Sequence, residues 1–192
     1  MQLFIKKYKQ DRDVNAKYEV IAELFSSRIG KILGMPTLEL KLTDEGLAMK
    51  MLRKREKDEI KNLEKLKKAL PFEEWLLNID LKEEHIMVDE EGNGYIIDHG
   101  HTLSAWKPLY YVIEIVNKPV TRFKLWSDSK SFKEGVEIVR SLDCKDVRVY
   151  LKETANEVSH LLNLKGDEID DFVNISSKIL EHRNRILHLL FN

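Results

Sequence analysis

Apolar and polar residues follow short strand periods in the first half of the chain and helical spacing through most of the second. Leu3-Phe4-Ile5-Lys6-Lys7-Tyr8 reads as a strand, and Asp11–Asn15 as a loop of helix-capping residues. Val20, Ile21, Leu24, Phe25, Ile29, Ile32 and Leu33 then recur at helical spacing, predicting a helix that Gly34 ends and Pro36 follows. Leu38, Leu40 and Leu42 alternate with Glu39, Lys41 and Thr43, the pattern of a half-buried strand. Asp44–Gly46 is a turn and Leu47–Leu52 its return strand. Arg53–Leu70 predicts a charged helix with Ile60, Leu63 and Leu66 on one stripe, its charge run being a solvated face. Phe72–Ile79 predicts a separate short helix carrying Trp75 into the core. Strands over His85–Asp89 and Gly94–Asp98 flank a strong turn signal, Glu90–Gly94. Helices are expected at Leu109–Val116, Phe132–Leu142, Lys145–Leu162 and Asp167–Leu190, with Leu161, Leu162, Ile175, Ile179, Leu187 and Leu190 as core. The sum is an α+β chain: a strand–helix–hairpin part over residues 1–52, then a mostly helical part over 53–192.

Composition narrows the class. Lys+Arg is 32 and Asp+Glu is 33, so the net charge is -1, which argues against a general nucleic-acid binder. Charged residues make up 34% of the chain against an average of about 25%, a bias that fits a thermophile or an AT-rich genome. One cysteine, Cys144, excludes an internal disulfide framework and points to a reducing compartment. The N-terminal residues do not read as a signal peptide, and no apolar run approaches a membrane span. The expectation is a soluble cytoplasmic protein.

The chemistry concentrates between Trp75 and Ser104. Phosphoryl transfer from ATP needs one carboxylate to orient the attacking hydroxyl and another to hold magnesium on the phosphates. Asp80 precedes the first strand of the hairpin and Asp98 follows the second, so an out-and-back chain can bring them together on rigid supports. Asp98-His99-Gly100 resembles the Asp-Phe-Gly of protein kinases, and Asp80-Leu81-Lys82-Glu83-Glu84-His85 resembles their catalytic loop.

The chain most resembles kinases of the HipA type. Members read Phe-x-x-Trp-x-x-Asn-x-Asp and then Ile-Asp-His-Gly; here these are Phe72 to Asp80 and Ile97 to Gly100. Ala22-Glu23-Leu24 through Leu33-Gly34-Met35-Pro36 is similar to a family helix ending in Leu-Gly-Leu-Pro. The resemblance spans about residues 1–104 and is sharp only at the two motifs. It implies a two-lobed protein-kinase-like fold with a reduced N-terminal lobe, residues 1–52, and a C-terminal lobe, 53–192. It implies an ATP- and magnesium-dependent phosphotransferase acting on a protein serine or threonine. Asp80 is then the catalytic aspartate, Asn78 braces its loop, and Asp98 binds metal. Lys6 contacts the phosphates, with Lys7 on the other strand face. Glu23 is the glutamate that pairs with Lys6, and Glu19, one turn earlier, is the fallback.

Two departures from the kinase pattern change these expectations. Kinases place asparagine where this chain has His85, and magnesium prefers oxygen, so His85 implies a softer ion such as manganese, a one-metal site or weakened catalysis, with the last two favoured. No glycine occurs before Gly30, so the phosphate-covering hairpin that kinases place before the lysine strand has no counterpart. The N-terminal lobe is then reduced, or completed by another subunit, or the chain start is misplaced. A catalytically weak nucleotide-binding interaction module therefore stands as the alternative, and its structural sign is an exposed apolar patch beside the first strand. A third reading makes His85, His99 and His101 a metallohydrolase centre.

Overall fold

The structure, a computed structural model, describes residues 3–9, 15–55, 60–104 and 106–191. The expected loop at Asp11–Asn15 lies almost wholly outside these residues. The protein is α+β, with two small antiparallel sheets and six α-helices among the described residues. The first sheet has the order β1 (Leu3–Lys7), β3 (Gly46–Lys50), β2 (Leu40–Leu42), and Lys6 sits opposite Leu47. Helix α1 (Asn15–Ile32) packs between β2 and α5 (Cys144–Leu162), burying Ile21, Leu24, Phe25 and Ile29 completely. That stripe is the helical apolar spacing of the sequence turned inward. Ile32, assigned to the same stripe, is instead half exposed on the last turn.

The second sheet has the order β4 (Arg53–Lys54), β5 (Ile86–Val88), β6 (Gly94–Ile96). Its strands flank helix α2 (Leu63–Trp75) in sequence, and here the structure departs from the sequence reading. The pattern predicts a charged helix from Arg53, but Arg53 and Lys54 pair with Val88 and Met87, residues 60–62 are not helical, and α2 begins at Leu63. Ladder hydrogen bonds to a neighbouring strand outweigh the weak local helix preference of a charged run. Nor does the helix break between Leu70 and Phe72: it runs through Pro71 to Trp75. Helix α4 (Ser129–Arg140) crosses at that point, and Gly135 makes the approach practicable, since a Cβ there would lie 2.1 Å from the Lys68 carbonyl oxygen.

Helices α3 (Leu109–Ile115), α5 and α6 (Gly166–Ile186) lie close to the expected ranges. Ile179, Leu187 and Leu190 are buried as expected, whereas Ile175 is exposed on the outer side of α6. Trp75 is core, and its indole N–H donates to the Leu180 carbonyl at 3.0 Å. Among the described residues no helix is long and apolar enough to cross a membrane.

The β5–β6 turn is organised by Asp89. Its Oδ1 accepts from the backbone N–H of Glu91 and Asn93, and Lys50 reaches its Oδ2 at 3.1 Å. Burial alone would push this carboxyl up, but the Asn93 N–H and Lys50 override it and hold it down at about 2. The stability it supplies is therefore complete above its ordinary value of 3.8 and is lost as pH falls from there towards about 2. Asp89→Ala is expected to cost about 2–3 kcal/mol at neutral pH in a urea melt, and to flatten the acid side of the stability profile below about pH 4.

Candidate functional site

The site is assembled from four segments. Strand β1 supplies Lys6, helix α1 supplies Glu23, the loop after α2 supplies Asn78 and Asp80, and the chain leaving β6 supplies Asp98 and His99. The strand period decides which lysine points inward: Phe4, Lys6 and Tyr8 share a face, and Lys6 reaches the interior. Its ammonium lies 2.5 Å from Glu23 Oε1 and 2.7 Å from Asp98 Oδ1. Glu19 is not the partner of Lys6, because it pairs with Lys9 instead.

Lys6, Glu23 and Asp98 each titrate away from their ordinary values. Burial opposes the charge on Lys6, but Glu23 and Asp98 win, and its pKa rises to about 12. Burial would raise Asp98 as well, yet the Lys6 ammonium holds it down at about 2. Glu23 goes the other way: its burial pushes it up against the pull of Lys6. The trio is thus a lysine shared by two acids, one deep and one open to the cavity.

The loop that carries Asp80 is set by the end of α2. The N–H of Leu77 donates to the Glu74 carbonyl and that of Asn78 to the Glu73 carbonyl, which makes a Schellman cap. Leu77 takes the left-handed position at φ 58°, where glycine is usual. That costs a leucine about 1–2 kcal/mol, and its complete burial against Val112 and Ile179 holds it there. The cap turns Asn78 inward, fully buried, and sends Asp80 outward, where Lys82 lies 3.1 Å from its carboxylate. Asp98 is likewise left-handed at φ 67°, a region aspartate tolerates.

His85 ends a 3-10 turn (Glu83–His85), and its carbonyl accepts from the Ile97 N–H. This extends the hairpin pairing and brings the imidazole Nε2 to 3.8 Å from Asp98 Oδ2. Its Nδ1 is buried and makes no hydrogen bond among the described residues. Asp80 makes no hydrogen bond or ion pair with Lys6, Glu23, Asp98 or His85. Of the six residues singled out in the sequence, Lys6, Glu23, Asp98 and His85 converge directly, Asn78 lies buried in the loop before Asp80, and Asp80 pairs with Lys82 and with none of those four.

Above the cluster is a cavity of about 440 Å³, within the usual range for small-molecule sites. Its lining includes the apolar Phe4, Val20, Leu38, Leu40, Met49 and Ile96 and the polar Lys6, Glu23, Asp98 and His101. That mixed lining suits a ligand with an apolar part and a charged part.

The donor set around Asp98 is one carboxylate and one imidazole. Magnesium is commonly held by one or two carboxylates with phosphate and water supplying the rest, so these residues fit a cation that arrives with a nucleotide. They do not form a closed transition-metal centre, and among the described residues no three His, Cys, Asp or Glu side chains converge on one point. His99 turns its Nε2 to Glu73 at 3.0 Å, and His101 lies against Trp106, so the histidine trio does not assemble.

Sequence reasoning gave no role to Glu73, Lys82 or Lys107. Lys82 was readable as part of Asp-Leu-Lys, and Glu73 as an unassigned position inside the Phe72–Asp80 motif. Lys107 had no sequence signal. Burial lowers its pKa against the pull of Glu19 and Asp80, and its ammonium sits 4.4 Å from the centre of the Trp106 ring. Comparison of the chain with family models, with curated proteins and with solved structures gives no match.

Proposed function

We propose that this chain is a small two-lobed protein of the protein-kinase-like kind, similar to HipA-type kinases, that binds ATP with magnesium and transfers its γ-phosphoryl group to a protein hydroxyl. The observation that carries the proposal is the convergence of Lys6, Glu23 and Asp98, from three separate segments, in the lining of one cavity. Structural ion pairs need no cavity, whereas a phosphate site needs a fixed ammonium and a carboxylate for the metal. The lobes in this reading are residues 1–52 and 53–192, and the compartment is the cytoplasm.

Magnesium, when bound with the nucleotide, neutralises charge on the phosphates and on the leaving group. Lys6 would hold phosphate oxygens, with Glu23 keeping its ammonium in place. Asp98 would hold the cation through its carboxylate. Asp80 orients the acceptor hydroxyl and takes its proton, while Lys82 steadies the Asp80 carboxylate. His85 sits beside Asp98 in place of an oxygen donor, which favours a single cation and a slow enzyme.

A second reading has its own observation. Strand β1 is an edge of its sheet, and Leu3, Phe4 and Ile5 on it are 60%, 50% and 40% exposed. An apolar edge with free backbone groups is suited to receiving a strand from another chain. In that reading the protein binds nucleotide but turns over only when a partner strand covers β1.

The two readings separate in a turnover assay with radiolabelled ATP. The kinase reading predicts phosphoryl transfer by the isolated chain, at least about a hundredfold lower in Asp80→Asn with ATP binding retained. Equal turnover in wild type and Asp80→Asn sinks it. ATP binding without any turnover in wild type supports the partner-completed module.

A further inference from the structure

Glu73 on α2 has no part in the chemistry proposed above, yet it is fully buried and bonded at both oxygens. Its Oε1 accepts from His99 Nε2 at 3.0 Å, and its Oε2 accepts from Asn78 Nδ2 at 2.6 Å. His99 directly follows Asp98, and Asn78 stands two residues before Asp80. One carboxylate therefore ties the backbone of the metal-side loop to that of the acceptor-side loop. All three residues are at most 4% exposed, so water cannot substitute for a lost partner. The acceptor-side loop also carries Leu77 in the left-handed region, a backbone that holds only if its surroundings fix it. A second tie joins the same segments, since the Leu103 N–H donates to the Leu76 carbonyl at 2.8 Å.

We propose that Glu73 is a positioning residue that clamps the two loops through His99 and Asn78, and so sets Asp98 and Asp80 in one fixed arrangement. This rests on the kinase-like reading of the site. It assigns Glu73 a task distinct from its neighbour Glu74, whose carboxylate faces Arg183 and the 120–121 backbone. The clamp acts at a distance from the substrate: Glu73 touches neither the cavity nor the acidic pair around Lys6.

The test uses the full chain with substitutions at both ends of the clamp. Glu73→Gln keeps the size of the side chain but removes its charge. His99→Leu removes the hydrogen bond, whereas His99→Gln leaves an amide that still donates to Glu73. ATP binding is measured by calorimetry across a magnesium series, together with thermal melting. The clamp predicts that Glu73→Gln and His99→Leu raise the magnesium concentration for half-maximal ATP binding at least about tenfold, and that His99→Gln raises it less. A residue that only stabilises the fold lowers the melting temperature and leaves the magnesium dependence unmoved, which overturns the inference. Should Glu73→Gln fail to fold, the comparison of His99→Leu with His99→Gln decides on the same criterion. A wild-type protein whose ATP binding ignores magnesium refutes the proposed function itself and the clamp with it. Magnesium-dependent wild type with unchanged folded variants refutes the clamp alone.

Discussion

Under the proposed function, Asp98→Asn is expected to abolish the magnesium dependence of ATP binding and to lower any turnover by about two to three orders of magnitude, with only a modest loss of fold stability because the Asp98 side chain is 41% exposed and its ion pair is screened. Asparagine tolerates the left-handed backbone that Asp98 occupies at φ 67°, so the loop keeps its course. What changes is charge. Lys6 keeps Glu23 as its carboxylate partner, and the cavity loses the anionic group that faces the phosphates. ATP without magnesium then binds as well or slightly better, because one negative charge has gone from beside it. The expected signature is two coincident binding isotherms, with and without magnesium, where wild type gives two separate ones. Lys6 holds Asp98 at about 2 against its burial, so the carboxylate stays ionised and open to a cation from neutral pH down to about pH 4.

Arg183→Ala is expected to give the largest loss of stability, about 3–5 kcal/mol, a fifth or more of the roughly 5–15 kcal/mol that a domain commonly has. Arg183 is fully buried and Glu74 is 2% exposed. The guanidinium spends every arm: Nε donates to the Glu74 carbonyl, one Nη to the Val116 and Lys118 carbonyls, and the other to Glu74 Oε2 at 2.8 Å. Glu74 in turn accepts from the backbone of Val120 and Thr121 and from the Thr121 hydroxyl. Truncating the arginine leaves a carboxylate and backbone carbonyls buried without their donor, with a cavity beside them. Urea unfolding should show a lower midpoint at unchanged slope. Arg183→Met is expected to cost less than Arg183→Ala, because its thioether chain refills part of the cavity. Equal stability of wild type and Arg183→Ala would mean that this pair is solvated in solution.

Part of this arrangement was legible in short motifs. The resemblance to HipA-type kinases pointed to Lys6 and Glu23, and strand alternation put Lys7 on the opposite face from Lys6; Lys6 indeed meets Glu23. The hairpin between Asp80 and Asp98 was readable from its Gly-Asn-Gly turn. What escaped lay where tertiary contacts overrule local pattern. Arg53-Lys54 looks helical in any local window and becomes a strand only because β5 is there to pair with it. The helix runs through Pro71 where α4 packs on it, and that close approach needs Gly135, far along the chain. Leu77 in a left-handed cap has no sequence signature, since glycine is the residue expected there, and only its burial beneath α3 and α6 explains it. Glu73 was hidden for a similar reason: a glutamate on a charged helix reads as solvent-facing until the fold buries it.

The most direct test of the kinase-like site is a crystal grown with manganese and a non-hydrolysable ATP analogue, read by the anomalous signal of the metal. The proposed function predicts a manganese peak bound to the Asp98 carboxylate, phosphate oxygens against the Lys6 ammonium, and the base among Phe4, Leu40 and Met49. A nucleotide and metal bound elsewhere, with Lys6 still bridging Glu23 and Asp98, would contradict it.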